Sequence, residues 1–297
     1  MAEERSPIDG QFLRQLELLD FQLTQQMKGR LGGMRMSRTR GSSVEWLDFQ
    51  EYQPGDDPRR IDWNMAARFD SYFIRSFADE TRLKTTIYLD ASASMAAGTR
   101  KRQCALQLAA AFAYLSVSHL DHAVISLLQN ARCIPTGGQL YDRPSFYRAV
   151  GQMQQIRFQG ESDLCAALKN DPEPGRGNGI SILISDLMTD SDWQGALTAL
   201  LARKRQVLLV HLLSPEEMCP PGEAAIRYLD AEEEHGRGIR KQMTHNTQLQ
   251  YTKALNEWTD SIDAFCRHKG IGCLRARSDE TPADILLRKG LSSGVLI

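Results

Sequence analysis

Ile-Tyr-Leu-Asp-Ala-Ser-Ala-Ser-Met, residues 87–95, decides how the rest of the chain is read. An apolar run ends in Asp90-x-Ser92-x-Ser94, which puts three oxygen side chains into a turn at the end of a strand. In open α/β sheets ligands collect outside the carboxyl ends of the strands, and hard cations take oxygen donors of this kind. On this stretch alone three readings stand. It is a metal-binding loop, a strand-end nucleophile, or a helix cap in which Asp90 accepts backbone hydrogen bonds and the serines hold the next helix.

Downstream, the pattern alternates strand and helix, the signature of a parallel sheet with crossover helices. Strands are expected at Thr85–Leu89, Ala123–Leu128, Ile180–Ile184, Val207–Leu212 and Ile271–Arg275. Between them, Ala105, Leu108, Phe112 and Leu115 mark one face of a helix that starts near Thr99 with a hydroxyl cap. A second helix starts near Ser191-Asp192 and runs through Trp193, Leu197, Leu200 and Leu201 to Arg203-Lys-Arg205, whose charges suit a helix carboxyl end. Tyr251, Leu255, Trp258, Ile262 and Phe265 form a third stripe, all of it core material. The stretch from Arg227 to Lys241 reads as two short strands about Gly236 and Gly238, with Glu232–Glu234 as a solvated turn. The expected architecture is α/β: a doubly wound, mostly parallel sheet.

Two further loops fall where strands and helices of this sheet meet. Gly160-Glu-Ser162-Asp163 precedes a short helical stretch, so Ser162 offers its hydroxyl near a helix start. Asp186 directly follows the apolar run Ile180–Ile184 and so sits at a strand's carboxyl end. In a right-handed doubly wound sheet the strands carrying Asp90 and Asp186 can be neighbours where the strand order reverses. Three hydroxyls and two carboxylates would then converge.

Upstream, Phe12, Leu16, Leu19, Leu23 and Met27 recur at helical spacing, predicting a helix over about residues 8–28. Arg30 to Arg40 is glycine-punctuated and carries four arginines with no acid; it reads as a basic connector or as a nucleic-acid contact. Between Gly41 and Glu80 lies Glu51-Tyr-Gln-Pro-Gly-Asp-Asp-Pro-Arg-Arg-Ile-Asp-Trp63, where Pro54-Gly55 and Asp57-Pro58 mark a turn. Asp56, Asp57, Arg59, Arg60, Asp62 and Arg68 alternate in sign as an ion-pair network does. No nucleophile accompanies them.

Composition narrows the function classes. The 297 residues are 42% hydrophobic and 25% charged with a formal net charge of -1, ordinary globular usage without global attraction to nucleic acid or acidic membrane. No apolar run approaches the length of a spanning helix, and the start Met1-Ala-Glu-Glu-Arg lacks a leader's basic and apolar parts, so a cytoplasmic protein is expected. The six cysteines form no Cys-x-x-Cys pair and read as small, mostly buried thiols. His119 and His122 are close in sequence but lack a His-Glu-x-x-His frame, and read as a helix end facing water.

From about residue 85 onward the chain resembles a von Willebrand factor A-type domain, with Asp90-x-Ser92-x-Ser94, Ser162 and Asp186 matching that family's metal-ion-dependent adhesion site. The resemblance implies Ser92, Ser94 and Ser162 as direct ligands of Mg2+ or another divalent cation such as Mn2+ or Ca2+. Asp90 and Asp186 would act through water or as hydrogen-bond acceptors. One departure is visible: that family usually has threonine where this chain has Ser162, which keeps the hydroxyl without the methyl group that restricts χ1. The upstream block, Tyr52 to Trp63 with Ala66-Ala-Arg68 and Arg75-Ser-Phe77-Ala-Asp-Glu80, resembles the signature of the bacterial domain of unknown function numbered fifty-eight. That likeness covers about residues 35–297 and implies association with AAA+ ATPases of the MoxR class, as adaptor or co-chaperone. The implied organisation is a helix and connector at 1–34, a β-rich signature segment at 35–84 packed on the core, and the A-type domain at 85–297.

Taken together, these readings predict a non-enzymatic, metal-dependent protein-binding module whose partner or client offers an Asp or Glu to the ion. An enzyme reading, phosphoryl transfer through Asp90, meets Ser92 where a phosphatase of the haloacid-dehalogenase type needs its second carboxylate. No Gly-x-x-x-x-Gly-Lys-Ser/Thr loop is present either. Nucleic-acid binding through Arg30, Arg35, Arg38 and Arg40 lacks the aromatic platforms that would sit beside such a stripe.

Overall fold

The computed structural model describes residues 7–30, 46–51, 61, 63–69, 71–77, 83–96, 99–172, 179–189, 191–220, 225–228, 239–242 and 244–290. In chain order the elements are α1 (Gly10–Arg30), β1 (Trp46–Glu51), α2 (Trp63–Phe69), β2 (Phe73–Phe77), β3 (Lys84–Asp90), α3 (Thr99–Ser118), β4 (His122–Gln129) and β5 (Arg132–Leu140). They continue as α4 (Arg143–Met153), α5 (Leu164–Lys169), β6 (Gly179–Ser185), α6 (Trp193–Leu201) and β7 (Gln206–Leu213). Then come α7 (Pro215–Met218), β8 (Ala225–Tyr228), β9 (Ile239–Gln242), α8 (His245–Lys269) and β10 (Gly272–Arg277), followed by the short helical segments Pro282–Asp284 and Ile285–Gly290. Packing separates two units, Met1–Met27 with Leu83–Ile297, and Lys28–Arg82.

The larger unit is built on a six-stranded sheet in the order β10-β7-β6-β3-β4-β5. All neighbours are parallel except β4 and β5. This is the expected doubly wound α/β sheet, and all five expected strands are present to within a few residues. Burial on both faces explains their composition: six of the seven residues of β3 are buried, as a central parallel strand requires. Alternate residues of each strand feed two separate cores. Ile87, Leu89, Ile125, Ile182, Ile184, Val210 and Leu212 point to one side, where α3, α4 and the amino-terminal half of α1 cover them; Phe12, Leu16 and Leu19 of α1 are buried there. Tyr88, Leu183, Val207 and Leu209 point to the other side, under α5, α6 and α8. Amides of Gln107 and Gln154 fix the chain entering α1 by donating to the carbonyls of Pro7 and Ile8 at 2.8 and 3.0 Å.

Strand β5 has no counterpart in the sequence reading. It is an antiparallel edge strand containing Pro135 and the pair Gly137-Gly138, with a register shift opposite Val124/Ile125. Edge strands tolerate proline and irregular pairing, so its hydrophobic alternation is too broken to read.

Helix α6 corrects one expectation. Asp192 caps it, accepting from the Gly195 N–H at 2.8 Å, but it ends at Leu201, and Arg203 and Arg205 do not serve its carboxyl end. Arg203 instead turns inward, donating to Asp171 Oδ2 at 2.8 Å and to the Leu168 carbonyl at 2.6 Å, with its guanidinium over the Tyr88 ring. Arg205 is buried against Thr86 and Ser181. Leaving Asp171 buried without its cation would cost several kcal/mol, more than the fraction of a kcal/mol that an exposed cation gains from a helix dipole. Helix α3 begins at Thr99 itself, so its cap falls outside the described residues.

In the smaller unit β1 and β2 pair antiparallel, Phe49 opposite Arg75, and the Trp63 ring of α2 meets Tyr72 edge-on at 6.2 Å. The basic stretch 31–40, the Pro54–Arg60 turn with most of its charges, and Glu232–Glu234 lie outside the described residues. The two short strands expected between Arg227 and Lys241 are present as β8 and β9, which pair antiparallel. Of the cysteines, Cys104, Cys133, Cys165 and Cys266 are buried free thiols, Cys273 is partly covered and Cys219 is exposed.

Candidate metal centre

The chain runs from β3 outward to β4, then returns to lay β6 on the other side of β3, so the strand order reverses between β3 and β6. A crevice at the carboxyl ends of two such strands is where a doubly wound sheet offers a ligand site. Asp90 is the last residue of β3, and Ser185 the last of β6.

All five residues singled out in the sequence meet here. The Ser92 N–H donates to Asp90 Oδ1 at 3.0 Å, closing the turn, and the Ser92 and Ser94 hydroxyls lie 3.1 Å apart. The Ser162 hydroxyl lies 3.3 Å from both Asp90 oxygens. On the β6 side the Ser185 hydroxyl donates to Asp90 Oδ2 at 2.7 Å. Asp186, the next residue, has its Oδ1 taken by the Met188 N–H at 2.9 Å. All five are buried, Asp90 and Asp186 at 1% exposure.

Ser162 reaches Asp90 because its loop is laced to the Asp90 loop. The Gln159 N–H donates to the Ala91 carbonyl and the Ala93 N–H to the Gly160 carbonyl, both at 3.0 Å. One amide, that of Gln129, donates to the carbonyls of Ala91, Arg157 and Gln159. Gly160 is required: its φ is +77°, and a Cβ there would lie 2.2 Å from Asn130 Oδ1. Asp163, not Ser162, caps α5 by accepting from the Ala166 N–H at 2.9 Å. The Ser162 hydroxyl is thereby left for the site, and its carbonyl accepts from Thr189.

Three participants escaped the sequence reading. Ser185 is one, holding Asp90. Lys101, in the first turn of α3, is fully buried; its ammonium donates to Asp186 Oδ2 at 2.6 Å, Glu217 Oε1 at 2.6 Å and the Ser94 carbonyl at 3.3 Å. Glu217, on α7, is the other. Its second oxygen accepts the Ser214 N–H at 2.7 Å while the Ser214 hydroxyl accepts the Glu217 N–H, a reciprocal capping box. Ser214-x-x-Glu217 was legible as such a box; nothing in the sequence tied it to Lys101.

Burial, and secondarily the charge of Asp186, pushes the Asp90 carboxyl up to about 6. Burial pushes His211 down to about 4, so this imidazole, hydrogen-bonded to the Asp186 carbonyl at 3.0 Å and set edge-on against Trp258, stays neutral.

The donor set suits a hard divalent cation. Among the described residues no trio of His, Cys, Asp and Glu forms a metal cluster; the ligands on offer are hydroxyls backed by carboxylates. Neighbouring corners of a magnesium octahedron with bonds of about 2.1 Å are about 3 Å apart, and the Ser92 and Ser94 oxygens are 3.1 Å apart. Both Asp186 oxygens already accept hydrogen bonds, which suits it to act through its charge and through water. Asp90, Asp186 and Glu217 against Lys101 leave an excess of two negative charges, the complement of a dication.

The chain belongs to the family described as "Protein of unknown function DUF58", whose model matches residues 48–259. It is 29% identical over 230 residues to uncharacterised proteins of Mycobacterium bovis and of Mycobacterium tuberculosis strain H37Rv, covering 75% of this chain and 72% of each relative. Among solved structures it is similar to the conserved hypothetical protein BatB from Bacteroides thetaiotaomicron at 17% identity and a TM-score of 0.44, over 71% of this chain and 98% of that one. A von Willebrand factor type A structure from Catenulispora acidiphila is similar at 11% identity and a TM-score of 0.37, over 75% and 43% of the two chains. Among the described residues no helix is long and apolar enough to cross a membrane.

Proposed function

We propose that this member of the family is a non-enzymatic protein-binding module that grips its partner through a divalent cation, Mg2+ in the first place. The observation that carries the reading is the meeting of Asp90, Ser92, Ser94, Ser162 and Asp186 from three separate loops at the switch point of the sheet. Ser92, Ser94 and Ser162 would hold the ion directly, with Asp90 and Asp186 behind them. The ion would supply a Lewis-acidic centre to which a carboxylate can bind.

The residues divide the work by charge. Neutral hydroxyls around a dication leave it electrophilic, so an Asp or Glu of the partner completes the shell with a charge-assisted contact. Asp90, held by Ser92, Ser162 and Ser185, orients the hydroxyls while lending charge. The surrounding surface supplies most of the affinity. A MoxR-type AAA+ ATPase, or a client handed to it, is the partner class proposed from the signature at residues 52–80, in a cytoplasmic setting.

The enzyme alternative is weakened by the same geometry. A nucleophilic carboxylate needs a reachable oxygen, and Asp90 is buried with both oxygens accepting hydrogen bonds. Ser92 stands where a second acid would act. A pull-down of the ATPase with the full chain tests the reading: capture in Mg2+ and loss in chelator are expected, as is loss in Asp90→Ala with the fold retained by circular dichroism. Undiminished capture in excess chelator overturns it.

A further inference from the structure

We propose that Lys101 is a tethered counter-cation that deliberately weakens ion binding at the Asp90–Ser162–Asp186 centre, keeping the bound ion electrophilic toward an acidic partner, and that Glu217 sets how strongly it does so. The proposal rests on the reading of that centre as a divalent-cation site.

The placement of Lys101 is unfavourable by every local measure. It lies in the first turn of a 20-residue helix, where the dipole disfavours a cation, and it is fully buried. Lysine is almost never found fully buried unless paired. What holds it there is a complete acceptor set: one ammonium with three N–H donors meets three oxygens, from the Asp90 loop, the end of β6 and the α7 cap. A methionine in its place would fill similar space. The charge does more than fill space: it pairs with Asp186, itself 1% exposed, and so fixes how much negative charge that carboxylate offers to an ion.

The effect of that charge follows from counting. Without Lys101 the three carboxylates Asp90, Asp186 and Glu217 would present a triple negative charge. A dication there would be held tightly and over-neutralised, with no pull left for a carboxylate from outside. With Lys101 the ion and its surroundings sum to zero rather than to one negative charge, so an incoming partner carboxylate reaches the ion without net repulsion. Lys101 also occupies Asp186 Oδ2, so Asp186 reaches an ion through its field and through water. Glu217 is the second control: its Oε1, 2.6 Å from the ammonium, draws off part of the lysine's charge from Asp186. Since Gln also fits the third position of a capping box, Glu217→Gln changes the charge while keeping the turn.

The two residues should thus act in opposite directions on ion affinity. Calorimetric titration of the full chain with MnCl2 and with MgCl2 is the test, with thermal unfolding as a check on folding. Lys101→Met should tighten the ion by about tenfold or more, and Glu217→Gln should loosen it several-fold, the sizes expected for a unit charge acting through a partly buried medium. Lys101→Arg should stay near the parent. If Lys101 only props up Asp186, Lys101→Met binds more weakly and Glu217→Gln binds unchanged, and the proposal is overturned. Should Lys101→Met not fold, the Glu217→Gln titration still decides: several-fold weaker binding supports the proposal, and unchanged or tighter binding overturns it. A parent protein that takes up neither ion at millimolar concentration overturns the metal reading itself, a different result from a parent that binds with variants that shift the wrong way.

Discussion

Asp90→Asn should make the metal-free protein more stable, although it removes the central residue of the site. The Asp90 carboxyl is buried, and burial together with Asp186 raises it from 3.8 to about 6. A carboxyl whose folded pKa lies above its unfolded one binds its proton more tightly when folded. Its burial then costs nothing below about pH 3.8, costs progressively more as pH rises through 6, and reaches a plateau above. Two units at about 1.36 kcal/mol each put the plateau at about 3 kcal/mol. Asparagine is of the same shape and carries no charge; its Oδ1 keeps the Ser92 N–H, and its amide can donate to Ser185 with that hydroxyl turned round. Urea unfolding in EDTA should therefore show Asp90→Asn ahead of the parent by about 3 kcal/mol at pH 7.5 and by about half of that at pH 5. Adding Mg2+ to about 100 times its Kd should lift the parent by about 2.7 kcal/mol and leave the variant unmoved. A variant less stable than the parent in EDTA at pH 7.5 would show that Asp90 is a structural anchor whose hydrogen bonds outweigh its buried charge, and would refute the reasoning.

Two further outcomes follow from buried polar groups. Arg203→Met should cost about 3–5 kcal/mol in urea unfolding, because Asp171, 2% exposed, is left buried without its guanidinium; a loss under about 1 kcal/mol would mean that Arg203 behaves as a surface charge after all. His211, held at about 4 by burial, is a group whose folded pKa lies below its unfolded 6.5. Its contribution is full above pH 6.5 and is lost as pH falls toward 4. The unfolding free energy of the parent relative to His211→Gln should then drop by about 2 kcal/mol between pH 7.5 and pH 5, a comparison in which the opposite trend from Asp90 cancels. A pH-independent difference would place the imidazole in contact with water.

The sheet was readable because parallel strands buried on both faces must be continuous apolar runs, as Ile87–Leu89, Ile182–Ile184 and Val207–Val210 are. Their order was readable only in part. Handedness and the switch-point rule allow β3 and β6 to be neighbours without requiring it, whereas β5, with Pro135 and Gly137-Gly138 on an edge, has no local pattern to betray it. Arg203 shows the limit of local rules: a basic residue just past an apolar stripe suits a helix end, and only its approach to Asp171, from 32 positions earlier in the chain, turns it inward.

The same limit explains why the oxygen donors of the site were legible and its cation was not. Asp90, Ser92 and Ser94 are adjacent, and Ser162 and Asp186 each stand next to a strong signal, a helix start or a strand end. Lys101 stands next to neither Asp186 nor Glu217 in sequence, and a lysine in Thr99-Arg-Lys-Arg-Gln reads as one more solvated charge at a helix start. Its burial is a product of tertiary approach alone: the carboxylates that attract it arrive from β6 and from the turn after β7, 85 and 116 positions further on. A ligand set is written into a loop because the loop must present it. The charge that tunes the set can come from any element that packs behind it, so it is found by asking of each buried ionised group what else in the fold would have to change if it were neutral. For Lys101 the answer is the charge around Asp90, Asp186 and Glu217, which changes by one unit when the lysine is lost, whereas the loss of any single hydroxyl leaves it unchanged.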